Sequence, residues 1–363
     1  MKILLVTSIP QGGPVEHVRL LARELVAAGA QVRAVTGYEA VAREYAAVGA
    51  DPVLVPTRSL RSPAAAMIVR RSGHGFEVVH SHDRLSGLWT LGPSRRGRSA
   101  ALIHTLHGLP DAYLPLPDDA SVPAGLRHHL AYRVVEARLV GRADAVVVPS
   151  QATLDLACSL GYRMQRAVVI RNGVDVGGTT VRRGTKIGML TSLEPVKGIA
   201  VFLEAARLIH QDDPDARFVI FGTGSLMTRL QEQAQQLDLG DVVLFAGQVP
   251  ARTALAELRV LVATSHYETS PLALLEAMEA GVAVVTTRVG GIPELAPESA
   301  MLMVPPNDPP AVAAAIRRTL VDDEAVRARV ELARSHVATE RSAKATMVAM
   351  EKLYRRVVDR VGR

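Results

Sequence analysis

The sequence predicts an α/β protein made of two doubly wound parallel-sheet domains of similar size. Three observations carry this reading. Short apolar runs alternate with amphipathic stretches from end to end, those runs are continuous rather than alternating, and a glycine-rich segment divides two such series. Continuous apolar runs belong to strands buried on both faces, which a parallel sheet covered by helices provides.

Taken in order, the first series offers strands at Lys2–Thr7, Gln31–Thr36, Pro52–Val55, Val78–Ser81, Ala101–His107, Ala145–Pro149 and Val168–Arg171. Between the first two, Val15, Val18, Ala22, Leu25 and Val26 recur at helical spacing. The second series offers Lys186–Thr191, Arg217–Phe221, Val242–Ala246, Val260–Thr264, Ala283–Thr286 and Ala300–Val304. The join, Gly173–Gly184, holds Gly173, Gly177, Gly178 and Gly184 with Thr179 and Thr180, a composition with little to pack and the character of a hinge. The expected boundaries are therefore 1–177, 178–340 and a final charged helix, 341–363, crossing back onto the first domain. Ligand sites in such sheets lie outside the carboxyl ends of the strands, so the two sets of loops are expected to face a central cleft. One segment interrupts the pattern: Leu109–Gly125, with Pro110, Pro115, Pro117 and Pro123, reads as a lid on the acceptor side.

Composition narrows the classes. In 363 residues, 48% hydrophobic and 21% charged, there is ample material for two cores and none of the bias of disordered or collagen-like chains. The single cysteine, Cys158, excludes an intrachain disulfide framework, and no apolar run reaches the ~20 residues of a membrane span, so a cytoplasmic protein is expected. The net charge of +6 lies wholly in residues 1–177, which carry 20 basic and 14 acidic side chains, while residues 178–363 carry 22 of each. The basic groups at Arg58/Arg61, Arg70/Arg71, Arg95/Arg96/Arg98 and Arg127 suit an anionic substrate or peripheral contact with the inner face of an anionic membrane. An arginine-rich composition explains the same excess, since 37 of the 42 basic residues are Arg. Nucleic acid is not expected: aromatic residues are only 4%, and no nucleic-acid-binding motif is present.

The chemistry-bearing residues follow strand ends. Gly12-Gly13 precedes the first helix; it is not a Gly-x-Gly-x-x-Gly fingerprint, yet it lets backbone amides at a helix N-terminus approach a phosphate. Lys197-Gly198 sits at a strand-to-helix junction where an ammonium can meet a diphosphate, in a chain with only five lysines. Phe221-Gly222-Thr223-Gly224 repeats the strand–glycine–helix pattern. Glu268-Thr269-Ser270-Pro271-Leu272 enters a helix that carries Glu276 among apolar neighbours, a buried carboxylate that ribose hydroxyls would satisfy. Gly290-Gly291-Ile292-Pro293-Glu294 is a further glycine turn.

The order of these motifs, together with His107-Gly108 and Asn172-Gly173-Val174-Asp175, resembles the large family of retaining glycosyltransferases called GT4, group 1. The resemblance covers nearly the whole chain, and its most specific part is Glu268-x7-Glu276 followed by Ala277, Met278, Ala280 and Gly281. It implies the GT-B fold: two Rossmann-like domains, acceptor side first and nucleotide-sugar side second. It implies transfer of a sugar from a nucleotide diphosphate sugar, UDP- or GDP-linked, to a hydroxyl on a lipid-linked glycan or a small molecule, in glycan, cell-envelope polysaccharide or glycosylated natural-product synthesis.

Carried onto this sequence, the family assigns His107 and Glu268 to the transferring sugar as catalytic residues. Gly12, Gly13, Lys197, Gly222, Val249, Thr269, Ser270, Pro271, Leu272 and Glu276 become donor-binding residues, with Lys197 on the diphosphate, Glu276 on the ribose and Val249 at the base. His82 falls on the acceptor side. Where the family has a phosphate-binding arginine, this chain has Ser192 in Thr191-Ser192-Leu193, so either Arg171, Arg288 or Arg252 takes its place or the leaving group is held less well. Loss of such a donor lowers turnover by roughly 10²–10³. The family also usually has glycine where Thr269 stands.

No cofactor and no metal are expected, because Lys197 and helix ends take the place of a cation. Asp213-Pro214-Asp215 resembles an Asp-x-Asp metal clamp but lies at the opposite end of its strand, and His80, His82, His104 and His107 lack further ligands at a zinc spacing. Two other classes share this architecture: a nucleotide-sugar isomerase or hydrolase, and a non-catalytic nucleotide-sugar-binding protein.

Overall fold

The computed structural model describes residues 1–56, 63–90, 100–110, 114, 116, 126–178, 184–321 and 324–362, with the backbone alone for 126–133. The chain forms two compact units. The first holds Met1–Leu109, Ala124–Gly173 and Ala343–Arg363, and the second is built on Val174–Ser342.

The first unit runs β1 (Lys2–Val6), α1 (Gly13–Ala27), β2 (Gln31–Thr36), α2 (Glu39–Ala47), β3 (Asp51–Leu54), α3 (Pro63–Ser72), β4 (Val78–Ser81), α4 (Arg84–Thr90), β5 (Ala101–Thr105), α5 (Leu126–Arg142), β6 (Ala145–Val148), α6 (Gln151–Ser159) and β7 (Ala167–Val169). Its strands pair in the order β3-β2-β1-β4-β5-β6-β7, all parallel. Successive side chains of a strand point to opposite faces, and β1 shows the consequence. Ile3 and Leu5 join Val18, Leu21 and Leu25 of α1 on one face, while Leu4 and Val6 join Val69, Val79 and Trp89 on the other.

The second unit runs β8 (Lys186–Leu190), α7 (Ile199–Asp212), β9 (Phe218–Phe221), α8 (Met227–Gln236), β10 (Val243–Gly247), α9 (Ala251–Glu257), β11 (Leu258–Ala263), α10 (Leu272–Glu279), β12 (Ala283–Thr287), β13 (Leu302–Val304), α11 (Pro309–Leu320) and α12 (Glu324–Glu340). Its strand order is β10-β9-β8-β11-β12-β13, again parallel throughout. Phe218 and Ile220 of β9 pack with Phe202 of α7 on one face, and Val219 and Phe221 pack with Leu275 of α10 on the other. All thirteen apolar runs read as strands are strands, with ends displaced by a residue or two.

After α12 the chain turns through Arg341 and Ser342, and Ser342 bridges Val174. The last helix, α13 (Ala343–Val361), then returns to the first unit, where Met347, Met350, Leu353, Tyr354 and Val357 enter the core beneath α1. The final helical pattern, expected as one element near 340–361, is thus set off from α12 by this turn. Two smaller differences matter for the site. β5 stops at Thr105, so His107 lies in the loop beyond it, and β13 begins at Leu302 because residues 298–300 form a 3-10 turn. No helix among the described residues is long and apolar enough to cross a membrane.

Both sheets reverse strand order at one place, between β1 and β4 in the first unit and between β8 and β11 in the second. In open parallel sheets the ligand crevice lies outside the carboxyl ends of the strands at this switch point. The residues that follow β1 and β4, and those that follow β8 and β11, lie at these switch points.

Candidate functional site

In the second unit the switch point is occupied by a charge pair. After β8, residues 195–197 make a 3-10 turn ending in Lys197. After β11, the loop Thr264–Pro271 presents Glu268 before α10 begins. The Lys197 Nζ donates to Glu268 Oε1 at 2.7 Å, and Ser265 Oγ donates to the same oxygen at 2.8 Å. Both charged side chains are mostly covered, 21% and 12% exposed, so solvent screens the pair only in part.

Backbone contacts hold the pair in place. His266 N donates to Val196 O at 2.8 Å, and Thr264 Oγ1 to Gly198 O at 2.9 Å, which ties the β11 loop to the β8 loop. Gly198 has φ 59°, and a Cβ there would stand 2.2 Å from Thr264 O. Gly290 has φ 50°, and a Cβ there would stand 2.0 Å from Glu268 O, which Gly291 N binds at 2.8 Å. Glycine is required at both positions, by the left-handed backbone and by the close approach. Thr287 Oγ1, at the end of β12, donates to Ser265 O at 2.6 Å. Gly198, Gly290 and Gly291 stand in glycine turns that the sequence shows, whereas Thr264, Ser265, His266 and Thr287 acquire a role only when the strands are side by side.

The other donor-side expectations fall around this pair. Ser270 is buried, and Thr269 and Pro271 are half-buried at the start of α10; Leu272 is a core residue. Glu276 lies on the second turn of α10, half-buried between the fully covered Leu275 and Ala277. Gly222 follows β9 with φ 134°, its backbone against Thr191 O. Val249 packs on the α10 side of the sheet. Ser192 is exposed after β8. Of the arginines considered in place of the family's, Arg288 is engaged by Glu298, Arg252 is exposed on α9, and Arg171 belongs to the first unit. Asp213–Asp215 form an exposed turn before β9, with Asp215 N bound to Asp213 Oδ1.

The first unit carries a different chemistry at its switch point. Gly12, with φ 102°, caps α1 and its carbonyl accepts from Val15 N and Glu16 N; Gly12 and Gly13 are exposed, and neither would meet another atom within 4 Å through an added Cβ. Asp83 ties the loop after β1 to α4, accepting from Ser8 N at 2.7 Å, from Ser8 Oγ and from Ser86 N at 2.9 Å. Beside it, Arg84 reaches Glu136 of α5 at 2.6 Å; Glu136 is buried, and desolvation pushes its carboxyl above the usual range.

Five histidines gather behind these loops. His80 is held at both ring nitrogens, by Tyr354 and by Thr105 at 2.7 Å each, and His104 Nδ1 is 2.9 Å from Ser81 Oγ. His82 Nδ1 stands 3.3 Å from His107 Nε2. The fifth is His17, one turn into α1, its ring 5.5 Å from that of His82 and 5.0 Å from that of His107. Burial holds all five neutral: His17 and His104 are lowered to about 4, and His80, His82 and His107 fall well below the usual imidazole value. His17 was not among the expected residues. It lies on the buried face of an amphipathic helix, where a histidine reads as core, and only the packing of α1 over the ends of β4 and β5 brings it to His82 and His107.

Some expectations lie outside the described residues. Of the segment 109–125, only Leu109, Pro110, Leu114 and Leu116 are described; of the basic groups in residues 1–177, Arg70 and Arg71 are described, in the last turn of α3.

With this geometry in view, the comparisons with known proteins are specific. The family described as Glycosyltransferase Family 4 matches residues 11–177, and that described as Glycosyl transferases group 1 matches residues 184–322. The chain is 29% identical over 299 residues to the D-inositol 3-phosphate glycosyltransferase of Corynebacterium urealyticum, covering 74% of this chain and 69% of that protein. Among solved structures, Anabaena Alr3699/HepE in complex with UDP and glucose superposes with a TM-score of 0.80 at 18% identity, over 98% of this chain and 100% of that one. Sucrose-phosphate synthase from Thermosynechococcus elongatus superposes with a TM-score of 0.79 at 21% identity, over 99% of both chains. These relatives support neither an isomerase or hydrolase nor a non-catalytic binding protein.

Proposed function

This chain belongs to the group 1, family 4 glycosyltransferases, and we propose that it performs metal-independent, retaining transfer from a UDP- or GDP-linked sugar held by its second unit. The observation that carries the reading is the Lys197–Glu268 pair at the switch point of the second sheet, with Glu276 eight residues further on.

Breaking the bond between sugar and phosphate develops negative charge on the departing diphosphate and positive character at the anomeric carbon. The Lys197 ammonium and the peptide N–H groups of the glycine turns oppose the first, in surroundings where little solvent screens them. In the structure that ammonium is paired with Glu268. Donor binding exchanges partners: the diphosphate takes Lys197, and Glu268 is released to accept from sugar hydroxyls. Glu276 accepts from the ribose, and Val249 borders the base. This division of labour needs no divalent ion.

The first unit is read as the acceptor side, with Gly12 and Gly13 contributing amides and His107 placed against the transferring sugar. Retention is read as attack from the face that the diphosphate leaves, the departing phosphate oxygen taking the acceptor proton. The neutral imidazole of His107, lowered by desolvation yet partly exposed, suits a polar contact with a sugar better than a charge contact. The relative from Corynebacterium acts, by its name, on an inositol phosphate, an acceptor that combines hydroxyls with an anion. The positive balance of residues 1–177 suits an acceptor of that kind or one displayed at an anionic membrane surface.

A thermal-shift panel of UDP- and GDP-sugars tests the donor, since a ligand bound only by the folded state raises the melting temperature. Incubating the responding donor with inositol phosphates and lipid-linked acceptors then tests transfer. The anomeric configuration of the product, read by the proton coupling of its anomeric carbon, is expected to match that of the donor. Inversion would overturn the retaining assignment, and a panel without a stabilising nucleotide sugar would overturn the donor site.

A further inference from the structure

The histidine group of the first unit has more ring nitrogens than the transfer reaction uses. His80 is saturated by Tyr354 and Thr105, and His104 faces Ser81. His17, His82 and His107 each offer one ring nitrogen within 4.8 Å of the other two. The closest pair, His82 Nδ1 and His107 Nε2, is 3.3 Å apart. Two imidazoles bound to one tetrahedral ion at about 2.05 Å place their nitrogens about 3.3 Å apart, so this edge already has the length required.

The second observation is an unpartnered nitrogen in the same group. His17 Nε2 is buried and meets no hydrogen-bond partner among the described residues, while His82 turns Nδ1 rather than its Nε2 toward His107. Leaving such a group unpaired costs about 1–3 kcal/mol. His17 is bonded through its other nitrogen to the side chain of Asn172, itself buried, and that contact fixes the ring as a metal-ligating histidine is fixed by its outer partner. Among the described residues no carboxylate joins the three, and Asp83 nearby is already taken by Ser8 and Ser86. Three neutral imidazoles without oxygen donors suit zinc, cobalt, nickel or copper rather than magnesium or calcium. His107 is the partly exposed member, which gives an ion a way in.

We propose that His17, His82 and His107 form a three-imidazole site for a zinc-class divalent cation, with a fourth position open, and that filling it inhibits transfer by drawing His107 away from the sugar. The ion site stands on the histidines alone, whereas the inhibition rests on the role given to His107 above. Binding and inhibition are therefore measured separately.

The full chain, stripped with a chelator, is titrated with zinc in competition with a chromophoric chelator, and with cobalt while its visible spectrum is followed. The expected result is one equivalent of either ion and the intense absorption of tetrahedral cobalt. H17Q and H82Q should each weaken binding at least tenfold, and Asn172→Ala should weaken it less, by loosening His17. No saturable single equivalent, a weak octahedral cobalt spectrum, or unchanged affinity in both histidine variants would overturn the site; the cobalt spectrum decides on the wild-type chain even if a variant fails to fold. Zinc added to the transfer assay should inhibit over the concentration range in which it binds. Stoichiometric binding without inhibition would overturn the assigned role of His107 and leave the ion site standing. Binding by a chain that transfers no sugar would count against the transferase reading and not against the site.

Discussion

The Lys197 ammonium stands 2.7 Å from Glu268 Oε1 although the two residues are 71 positions apart in sequence. The separation is bridged by the sheet: β8 and β11 are adjacent, and their following loops are bound together through Val196, Gly198, Thr264 and His266. A lysine and a glutamate so arranged compensate each other until an anion arrives.

Removing the ammonium should therefore weaken diphosphate binding while sparing the fold. Lys197→Ala loses one charge-assisted hydrogen bond to the ligand, worth about 1.5–3 kcal/mol, which is roughly a 10- to 100-fold loss of affinity. Titration calorimetry with UDP or GDP reads it. Affinity equal to wild type would remove Lys197 from the site.

Ser192 supplies the converse case. Its side chain is exposed at the end of β8, so a longer residue meets no core there. Ser192→Arg should add a cation beside the departing diphosphate and raise kcat tenfold or more, given what such donors contribute elsewhere. Steady-state kinetics with a saturating donor checks it, and an unchanged or lower kcat would show that another group already does this work.

The buried histidines make stability depend on pH. His104 is lowered to about 4 by desolvation, against 6.5 for the exposed ring. Between those values the unfolded chain binds the proton and the folded chain does not, so stability falls as pH falls from 6.5 toward 4. At 1.36 kcal/mol for each pH unit, lowering the pH from 7 to 4.5 removes roughly 2–3 kcal/mol through this residue. Urea unfolding at the two pH values should show a loss smaller by that amount in His104→Gln than in wild type. Equal losses would mean that His104 protonates freely in the folded state.

Arg84 and Glu136 should respond unequally to truncation. Glu136 is almost wholly covered while Arg84 is 29% exposed. Arg84→Met strands a buried carboxyl and should cost about 3 kcal/mol; Glu136→Gln leaves a guanidinium that can turn to water and should cost less. Chemical unfolding of the two variants compares them, and the reverse order would contradict the burial argument.

How much of this was legible in the sequence depends on the range of the interaction. Strands such as Val78–Ser81 and Phe218–Phe221 declare themselves locally, because burial on both faces demands an unbroken apolar run. Lys197, Glu268 and Glu276 stand out in the sequence because they sit at strand ends or on an apolar helix, where charge is out of place, and the structure brings the first two together. His17 was not, since nothing within α1 distinguishes a ligand from a core residue; its meaning comes from β4 and β5, more than 60 residues away. Asp83, Arg84 and Glu136 were missed for the same reason. The glycine turn at Gly290 was visible as a motif, but Ser265 and Thr287, which hold the Glu268 loop, needed the neighbouring strands before their small side chains made sense.

The central claim is that a nucleotide sugar is held by the second unit without a divalent ion, its ribose on Glu276. Calorimetric titration of the stabilising nucleotide sugar in excess EDTA, on wild type and Glu276→Ala, tests this most directly. The account predicts full-strength binding by wild type in EDTA and a loss of at least tenfold in the variant. Binding that vanishes with EDTA and returns with magnesium, or a variant that binds as tightly as wild type, would contradict it.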